Sequence, residues 1–325
     1  MGEIGNNRLT AARLNRMLAD GGAWPQGSLL SAKLERIGED HGFGGKVYRV
    51  VASTSEGPVT LITKCEEPDQ VGRAVAVYQH IGEALAGRIP VLLGHSRNTT
   101  LFEDISPATQ GDALLEASRE QALSLIDLVA GLHAATWESS AEPWVPAHWD
   151  MDRWSARIGL AGERYPDEIT ADLEQRLQAL HDEVPTAITA VENGPFSWTH
   201  RDVGLDNILW RPDGSPVLLD WSSAAVSNPA FDVTPLLGFS PDAPLTPEET
   251  ISAYLAALRG RDTRWTETEA TQSIVAGLRL LIRGQIGFAG FPEEPTQPRL
   301  LAFRATTVRY AEKALEWIDQ LETNA

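Results

Sequence analysis

The sequence predicts an α+β chain in two lobes, a small strand-rich N-lobe followed by a larger, mainly helical C-lobe. Three observations predict it. Short β-branched runs separated by turn signals crowd into residues 34–105. Apolar residues at helical spacing dominate from residue 118 onward. Charge divides at the same place: residues 1–105 carry 11 basic and 12 acidic side chains, and 106–325 carry 16 and 33. A chain of 325 residues with 42% hydrophobic and 22% charged side chains has the length and balance for two folded lobes.

The elements follow in order. Leu9, Leu14, Met17 and Leu18 space like one face of a short helix over 8–20, closed by the turn Ala23-Trp24-Pro25-Gln26-Gly27. Strand texture begins at Leu34. Val47, Val50 and Val51 follow a glycine cluster, and Val59-Thr60-Leu61-Ile62-Thr63-Lys64 follows the turn Glu56-Gly57-Pro58. Val71, Val75, Tyr78 and Leu85 predict a helix over 69–86. Ile89–Leu93 and Thr100–Phe102 predict two further short strands. Ser118 with Gln121 three residues later predicts a capping box on a helix running to Trp137. Residues 138–149, rich in Pro and Trp, read as a connection. Helices are expected at 150–163, 167–191, 247–260, 266–288 and 298–322. Between them, 196–219 holds two apolar patches around the turn Arg211-Pro212-Asp213-Gly214.

Composition excludes several classes. A formal charge of −18 argues against a general nucleic-acid binder, which needs a basic footprint. Cys65 is the only cysteine, so an intramolecular disulfide and a Cys-rich zinc site are excluded; a reducing, cytoplasmic setting is expected. The N-terminus lacks the basic-then-apolar layout of a signal peptide, and no apolar run approaches 18 residues, so no membrane association is expected.

The chemistry concentrates in Trp198-Thr199-His200-Arg201-Asp202-Val203-Gly204-Leu205-Asp206-Asn207-Ile208-Leu209-Trp210, followed by Leu218-Leu219-Asp220-Trp221. An acid (Asp202), an amide (Asn207) and a second acid (Asp220) share one stretch. Carboxylate and amide oxygens suit Mg²⁺, a hard cation often completed by substrate phosphates. The remaining carboxylate can orient a hydroxyl and accept its proton. His-Arg-Asp, four residues, Asn and then a metal-binding Asp is the layout of kinases. Any single Asp near a turn is as readily a backbone cap; the four residues at this spacing are what carry the argument. His200 reads as a structural support of the loop.

Upstream, Gly42-Phe43-Gly44-Gly45-Lys46-Val47-Tyr48 is a glycine-rich turn leading into a strand, where backbone N–H groups can approach phosphate oxygens. It is not a Walker A loop, since Val follows Gly45-Lys46. Lys64 ends the next strand and would reach the α/β-phosphates as a point charge.

These motifs resemble the aminoglycoside phosphotransferase and choline kinase superfamily, whose fold is protein-kinase-like, over roughly residues 34–325. Arg36-Ile37-Gly38, Gly42-Phe43, Tyr48-Arg49-Val50 and Leu101-Phe102-Glu103-Asp104-Ile105-Ser106 look most like its ecdysteroid-kinase-like branch. Asn228-Pro229-Ala230-Phe231-Asp232-Val233 resembles the segment that follows the metal-binding Asp. The resemblance implies an N-terminal helical extension (1–33), a nucleotide-binding N-lobe (34–102), a hinge (103–105) and a helical C-lobe with catalytic loop and acceptor site (106–325). It implies ATP and Mg²⁺ as cofactors, with Asp202 catalytic and Asn207 and Asp220 holding the metal. Lys64, the Gly42, Gly44 and Gly45 backbone, and the backbone of Glu103 and Ile105 would bind the nucleotide, with His200 and Asp232 as structural support. Arg201 stands where many relatives have Gly, yet no A-P-E segment follows Asp220 as a protein kinase would require. Ala74 stands where the glutamate partner of the lysine is expected, and Glu66, Glu67 and Asp69 come too early to replace it.

The expected activity is transfer of the γ-phosphate of ATP to a hydroxyl of a small molecule by a monomer or homodimer. The acceptor expected is an aminoglycoside-like or other natural-product antibiotic, whose phosphorylation confers resistance. A metabolic kinase of choline, a sugar, homoserine or another small alcohol is the alternative, and a nucleotide-binding pseudokinase is a third, supported by Ala74. The acidic C-lobe suits a cationic acceptor, with Asp150, Asp152, Asp167, Glu168, Glu267 and Glu269 as candidates for an acidic cleft. Trp137, Trp144, Trp149 and Trp154 either stack on the acceptor or anchor helices. Gly287-Phe288-Ala289-Gly290-Phe291-Pro292 either rims the pocket or breaks a helix.

Overall fold

The computed structural model describes residues 9–22, 24, 27–37, 46–110, 118–139, 153–204, 207–237, 244–291, 298–309 and 311–324. The chain forms two compact units, Met1–Thr109 with Val217–Ser222, and Gln110–Pro216 with Ser223–Ala325. Asp220 therefore belongs to the strand-rich unit, although it lies far along the chain.

In the first unit, α1 (Ala11–Gly21) precedes β1 (Ser31–Ile37), β2 (Lys46–Thr54), β3 (Gly57–Cys65), α2 (Pro68–Ile81), β4 (Leu92–Ser96) and β5 (Thr99–Glu103). The strands form one antiparallel sheet in the order β1-β2-β3-β5-β4. The β2–β3 turn falls at Ser55-Glu56, so Gly57 and Pro58 open β3 instead of forming the turn. Thr54 sets that turn: its hydroxyl accepts from the Glu56 N–H at 3.1 Å and donates to the Gly57 carbonyl at 3.1 Å. Helix α2 stops at Ile81, short of the expected 86.

Helix α1 is part of this unit's core. Leu14, Met17 and Leu18 pack with Leu29, Val50, Leu61, Leu93 and Leu101. Two glycines permit the approach of α1 to β4. A Cβ on Gly94 would lie 2.1 Å from the Met17 carbonyl oxygen, and one on Gly21 would lie 2.0 Å from that of Leu93. The β4–β5 register shifts between Leu92 and Gly94, which turns that backbone toward the helix.

The chain passes between the units three times, within β6 (Thr109–Gln110), within β9 (Pro216–Leu218) and after Ser222. The second unit holds α3 (Arg119–Ala135), α4 (Trp154–Arg164), α5 (Ala171–Glu192), β7 (Ser197–Thr199), β8 (Ile208–Trp210), β10 (Ala225–Ser227), α6 (Ala230–Val233), α7 (Pro247–Arg259), α8 (Glu267–Ala289), α9 (Pro298–Arg309) and α10 (Ala311–Asn324). The predicted capping box of α3 is present: Ser118 Oγ accepts from Gln121 N–H at 3.2 Å, and Gln121 Oε1 accepts from Ser118 N–H at 2.8 Å. Thr246/Glu249 and Thr266/Glu269 form the same reciprocal pair on α7 and α8. Helices α5 and α8 form a core from Val184, Ala187, Val191, Ala276 and Leu280. Strands β7 and β10 pair antiparallel and carry the segments before Asp202 and Asp232. No helix among the described residues is long and apolar enough to cross a membrane.

Candidate active site

In the strand-rich unit, Lys64 lies at the end of β3. Its ammonium contacts Asp220 Oδ1 at 2.5 Å and Glu66 Oε1 at 2.7 Å. The structure thus overturns the expectation that Glu66 comes too early to pair with Lys64. The reason is the strand period: residues i and i+2 face the same side. Glu66 continues β3 by donating its N–H to the Asn98 carbonyl at 3.2 Å. Ala74, at the position where a helical glutamate was expected, is buried in α2. Burial alone would lower the Lys64 pKa, but attraction to Asp220 and Glu66 outweighs it and holds the ammonium above its ordinary value. Burial likewise pushes Asp220 up, and Lys64 and Ser222 more than reverse this, leaving its carboxyl below the usual range. Ser222 donates its hydroxyl to Asp220 Oδ1 at 2.8 Å. Asp220 has φ 55°, a left-handed conformation costly for a residue with a Cβ.

The segment 103–106 follows directly on β5. Glu103 donates its N–H to the Val91 carbonyl at 3.1 Å, and its carboxylate accepts the Val91 N–H at 3.0 Å. The Glu103 side chain is therefore a brace for this end of β5. Ile105 is half-buried, with its carbonyl taken by the Ala108 N–H at 3.3 Å. Asp104 is held below its ordinary carboxylate value: burial raises it, but hydrogen bonds from Ser106 and the Arg49 guanidinium at 3.0 Å outweigh burial. Gly42, Gly44 and Gly45 lie outside the described residues.

In the helical unit, Asp202 is exposed and Asn207 half-buried. The Asn207 amide nitrogen donates to the Asp202 carbonyl at 2.9 Å and to its Oδ2 at 3.0 Å. The loop is held from behind. Fully buried Asp232 accepts the His200 N–H on Oδ2 and the Arg201 N–H on Oδ1, each at 2.6 Å. Arg201 sits at φ 62°, and its guanidinium donates to the Ser223 carbonyl at 3.2 Å. Behind Asp232, His133 Nε2 lies 3.1 Å from Oδ2, and His133 Nδ1 lies 2.7 Å from the Tyr254 hydroxyl. All these groups are satisfied when Nε2 carries the proton and Tyr254 donates to Nδ1. Burial, with Asp232 nearby, pushes the Tyr254 phenol up. Sequence reasoning placed Asp232 but missed His133 and Tyr254, which lie 99 and 22 residues away on α3 and α7.

The tryptophans of the helical unit divide. Trp137 meets Trp265 edge-to-face at 5.9 Å, and Trp154 is buried with its indole N–H on the Leu177 carbonyl at 3.0 Å. Both are packing anchors. Trp144, Trp149, Asp150 and Asp152 lie outside the described residues. Glu267 and Glu269 stand in the first turn of α8, where the capping box and the helix dipole account for them. Gly287 and Phe288 belong to α8, and Phe288 and Phe291 line a cavity.

Each unit offers a side-chain oxygen of the kind that suits a hard cation. Asn207 uses its amide N–H groups inside the loop, which leaves Oδ1 as an oxygen donor. Asp220 has Oδ2 beyond its contacts on Oδ1. Among the described residues no cluster of three or more His, Cys, Asp or Glu could hold a metal.

A unit with a five-stranded antiparallel sheet and a paired lysine, and a helical unit with an Asp–Asn loop, are the parts of a small-molecule kinase of protein-kinase-like fold. The chain belongs to the phosphotransferase enzyme family, whose model matches residues 36–270. No curated protein matches it. Similar solved structures include an aminoglycoside phosphotransferase from Alicyclobacillus acidocaldarius, 16% identical over 99% of both chains with TM-score 0.55. A spectinomycin phosphotransferase solved with ADP and spectinomycin is 12% identical, covering 95% of this chain and 99% of its own, with TM-score 0.54. A choline kinase from Streptococcus pneumoniae is 13% identical, covering 89% and 94%, with TM-score 0.52. At these identities the likeness is one of fold.

Proposed function

We propose that the protein moves the γ-phosphate of ATP to a hydroxyl of a small natural product, with Asp202 as the group that receives the hydroxyl proton. The observation that carries this is the Asn207 amide bound to the Asp202 carboxylate in a loop pinned by Asp232. Asn207 occupies Oδ2, so Oδ1 remains to accept a proton. The hydroxyl oxygen then attacks the γ-phosphorus in line, the bond to the β–γ bridging oxygen breaks, and ADP leaves. Lys64 would move from Asp220 onto the α/β-phosphates while Glu66 keeps its charge compensated. The Glu103 carbonyl and Ile105 N–H would receive adenine, and Gly42, Gly44 and Gly45 would cover the phosphates. Mg²⁺ held by Asn207 and Asp220 would neutralise charge on the phosphates. The Glu66–Lys64 contact supports an active kinase over a pseudokinase, because it supplies the carboxylate that Ala74 does not.

The test is Mg-ATP with a panel of antibiotics, sugars, amino alcohols and hydroxy acids, read by mass spectrometry for an added phosphate. Asp202→Asn should cut transfer by about 10²–10⁴ and leave ATP affinity within a few-fold. Retained transfer in that variant sinks the assignment.

A further inference from the structure

Residue parity sorts the sheet of the strand-rich unit into two faces. Val50, Leu61 and Leu101 are buried on the face that packs with α1. Val51, Ile62 and Phe102, at the alternate positions, are half-buried on the other face. Lys64, two residues on from Ile62, shares that second face. So does Asp104. The register Leu61↔Glu103, carried one step further, sets Asp104 opposite Thr60, which stands on the Lys64 side of β3. Thr60 and Lys64 are four residues apart, about 13 Å of strand. One face thus carries the paired lysine at one end, a half-buried apolar strip in the middle and Asp104 at the other end.

Asp104 anchors the segment that follows β5. Its side chain is 5% exposed. Oδ2 accepts the Arg49 Nε–H at 3.0 Å. Oδ1 accepts the Ser106 N–H at 3.1 Å and the Ser106 hydroxyl at 2.7 Å. The Arg49 guanidinium also donates to the Ser106 hydroxyl at 3.3 Å, which closes a ring of three side chains. Arg49 stands on β2 and reaches this ring across β3, since β3 lies between β2 and β5. Glu103 is tied to the other flank, through Val91 just before β4. Consecutive carboxylates therefore pin the chain to opposite sides of β5. Ile105 lies between the two ends of the Asp104–Ser106 ring, and its N–H has no acceptor among the described residues.

We propose that Asp104, locked by Arg49, is a positioning residue that makes this segment select a purine whose ring nitrogen accepts a hydrogen bond. The proposal rests on the reading that the strand-rich unit binds ATP, and it assigns the choice of base to a side-chain ring that need not touch the base. N1 of adenine is an acceptor and suits the Ile105 N–H. N1 of guanine carries a hydrogen, which would set donor against donor and leave both unmet. That discrimination needs a donor held still. A peptide free to rotate would present its carbonyl instead, and the distinction would vanish. The ring supplies the hold from both sides, through the side chain of residue 104 and the N–H of residue 106.

The full chain is titrated with Mg-ATP, Mg-GTP and Mg-tripolyphosphate by isothermal titration calorimetry. Tripolyphosphate reports the phosphate end of the face alone. The parent should bind ATP tenfold or more tighter than GTP. Asp104→Asn and Arg49→Gln should each weaken ATP about tenfold, the low end of a charge-assisted hydrogen bond, and pull the ATP/GTP ratio toward one. Tripolyphosphate affinity should stay within about twofold. The Arg49 side chain is 38% exposed, so Arg49→Gln keeps the test open where Asp104→Asn fails to fold. A merely structural role would weaken tripolyphosphate and ATP together with their ratio unchanged, and that result overturns the proposal. So does a parent that binds GTP as tightly as ATP, or an ATP/GTP ratio that neither variant moves. Transfer is read separately. A ratio that collapses in the variants, without transfer to any panel acceptor, upholds the Asp104 role and counts against the transferase reading alone. Transfer from ATP with a ratio that neither variant moves counts against the Asp104 role alone.

Discussion

Replacing Asp232 by Asn isolates the device that shapes the Asp202 loop. The fully buried carboxylate accepts three donors: Arg201 N–H on Oδ1, and His200 N–H and His133 Nε2 on Oδ2. In Asn one of these oxygens becomes a donor. Its least costly orientation puts the amide nitrogen against the Arg201 N–H, which keeps the two contacts on the other oxygen. One charge-assisted hydrogen bond is then lost, about 1.5–3 kcal/mol, and one buried N–H is left unmet, about 1–3 kcal/mol. At 0% exposure, water does not soften this loss. A destabilisation of about 3–5 kcal/mol follows, a large part of the roughly 5–15 kcal/mol that holds a domain folded. Urea titration followed by far-UV circular dichroism reads it as a lower midpoint. The Arg201 φ of 62° depends on the same contacts, so phosphate transfer should fall more steeply than the folded fraction does. A midpoint within about 0.5 kcal/mol of the parent, with unchanged transfer, refutes the claim that Asp232 pins this loop.

Two further perturbations probe the strand-rich unit. Lys64→Met leaves Asp220 and Glu66 facing each other without their shared cation. It should destabilise by about 2 kcal/mol at pH 7, below the roughly 3–5 kcal/mol of a fully buried pair because the Asp220 side chain is 34% exposed. The pH dependence fixes the sign. In the parent, the depressed Asp220 pKa contributes stability above its unfolded value of 3.8 that is lost as pH falls through the folded value. In the variant Asp220 loses its cation and keeps a like charge nearby, so acidification from pH 7 to 5 should narrow the gap between the proteins; a constant gap in urea midpoints contradicts the pairing. Gly94→Ala places a methyl 2.1 Å from the Met17 carbonyl oxygen, where backbone must shift. It should cost about 3 kcal/mol, at the upper end of overpacking, and a loss under about 0.5 kcal/mol in urea melts would show that α1 does not need that approach.

The sequence made legible what depends on local rules. Chemistry-bearing residues at fixed spacing, such as Asp202 and Asn207, stand in one hydrogen-bonded loop because five residues of chain cannot separate them far. The Ser118/Gln121 box and the Arg211–Gly214 turn, with Gly214 at φ 81°, were legible for the same reason. Contacts made by tertiary folding were not. His133 and Tyr254 each look like an ordinary helical residue, and only the packing of α3 and α7 against Asp232 gives them a role. Glu66 was legible in principle, since an i, i+2 pair on a strand shares a face. Its role comes from strand geometry, whereas the position expected to carry the glutamate, Ala74, lies on the following helix.

Charge shows most sharply where composition stops being informative. A lobe with twice as much acid as base suggests an acidic cleft and a cationic acceptor. Yet the acids that can be located are used one at a time: Glu267 and Glu269 at the start of α8, Glu249 on the α7 cap, and Glu183 and Glu322 on either side of Arg279. Such groups are spread over exposed surface, where salt screens each beyond about 8–10 Å. The sign of a ligand is set by the few side chains that can touch it, so the net charge of residues 106–325 does not by itself select a cationic acceptor.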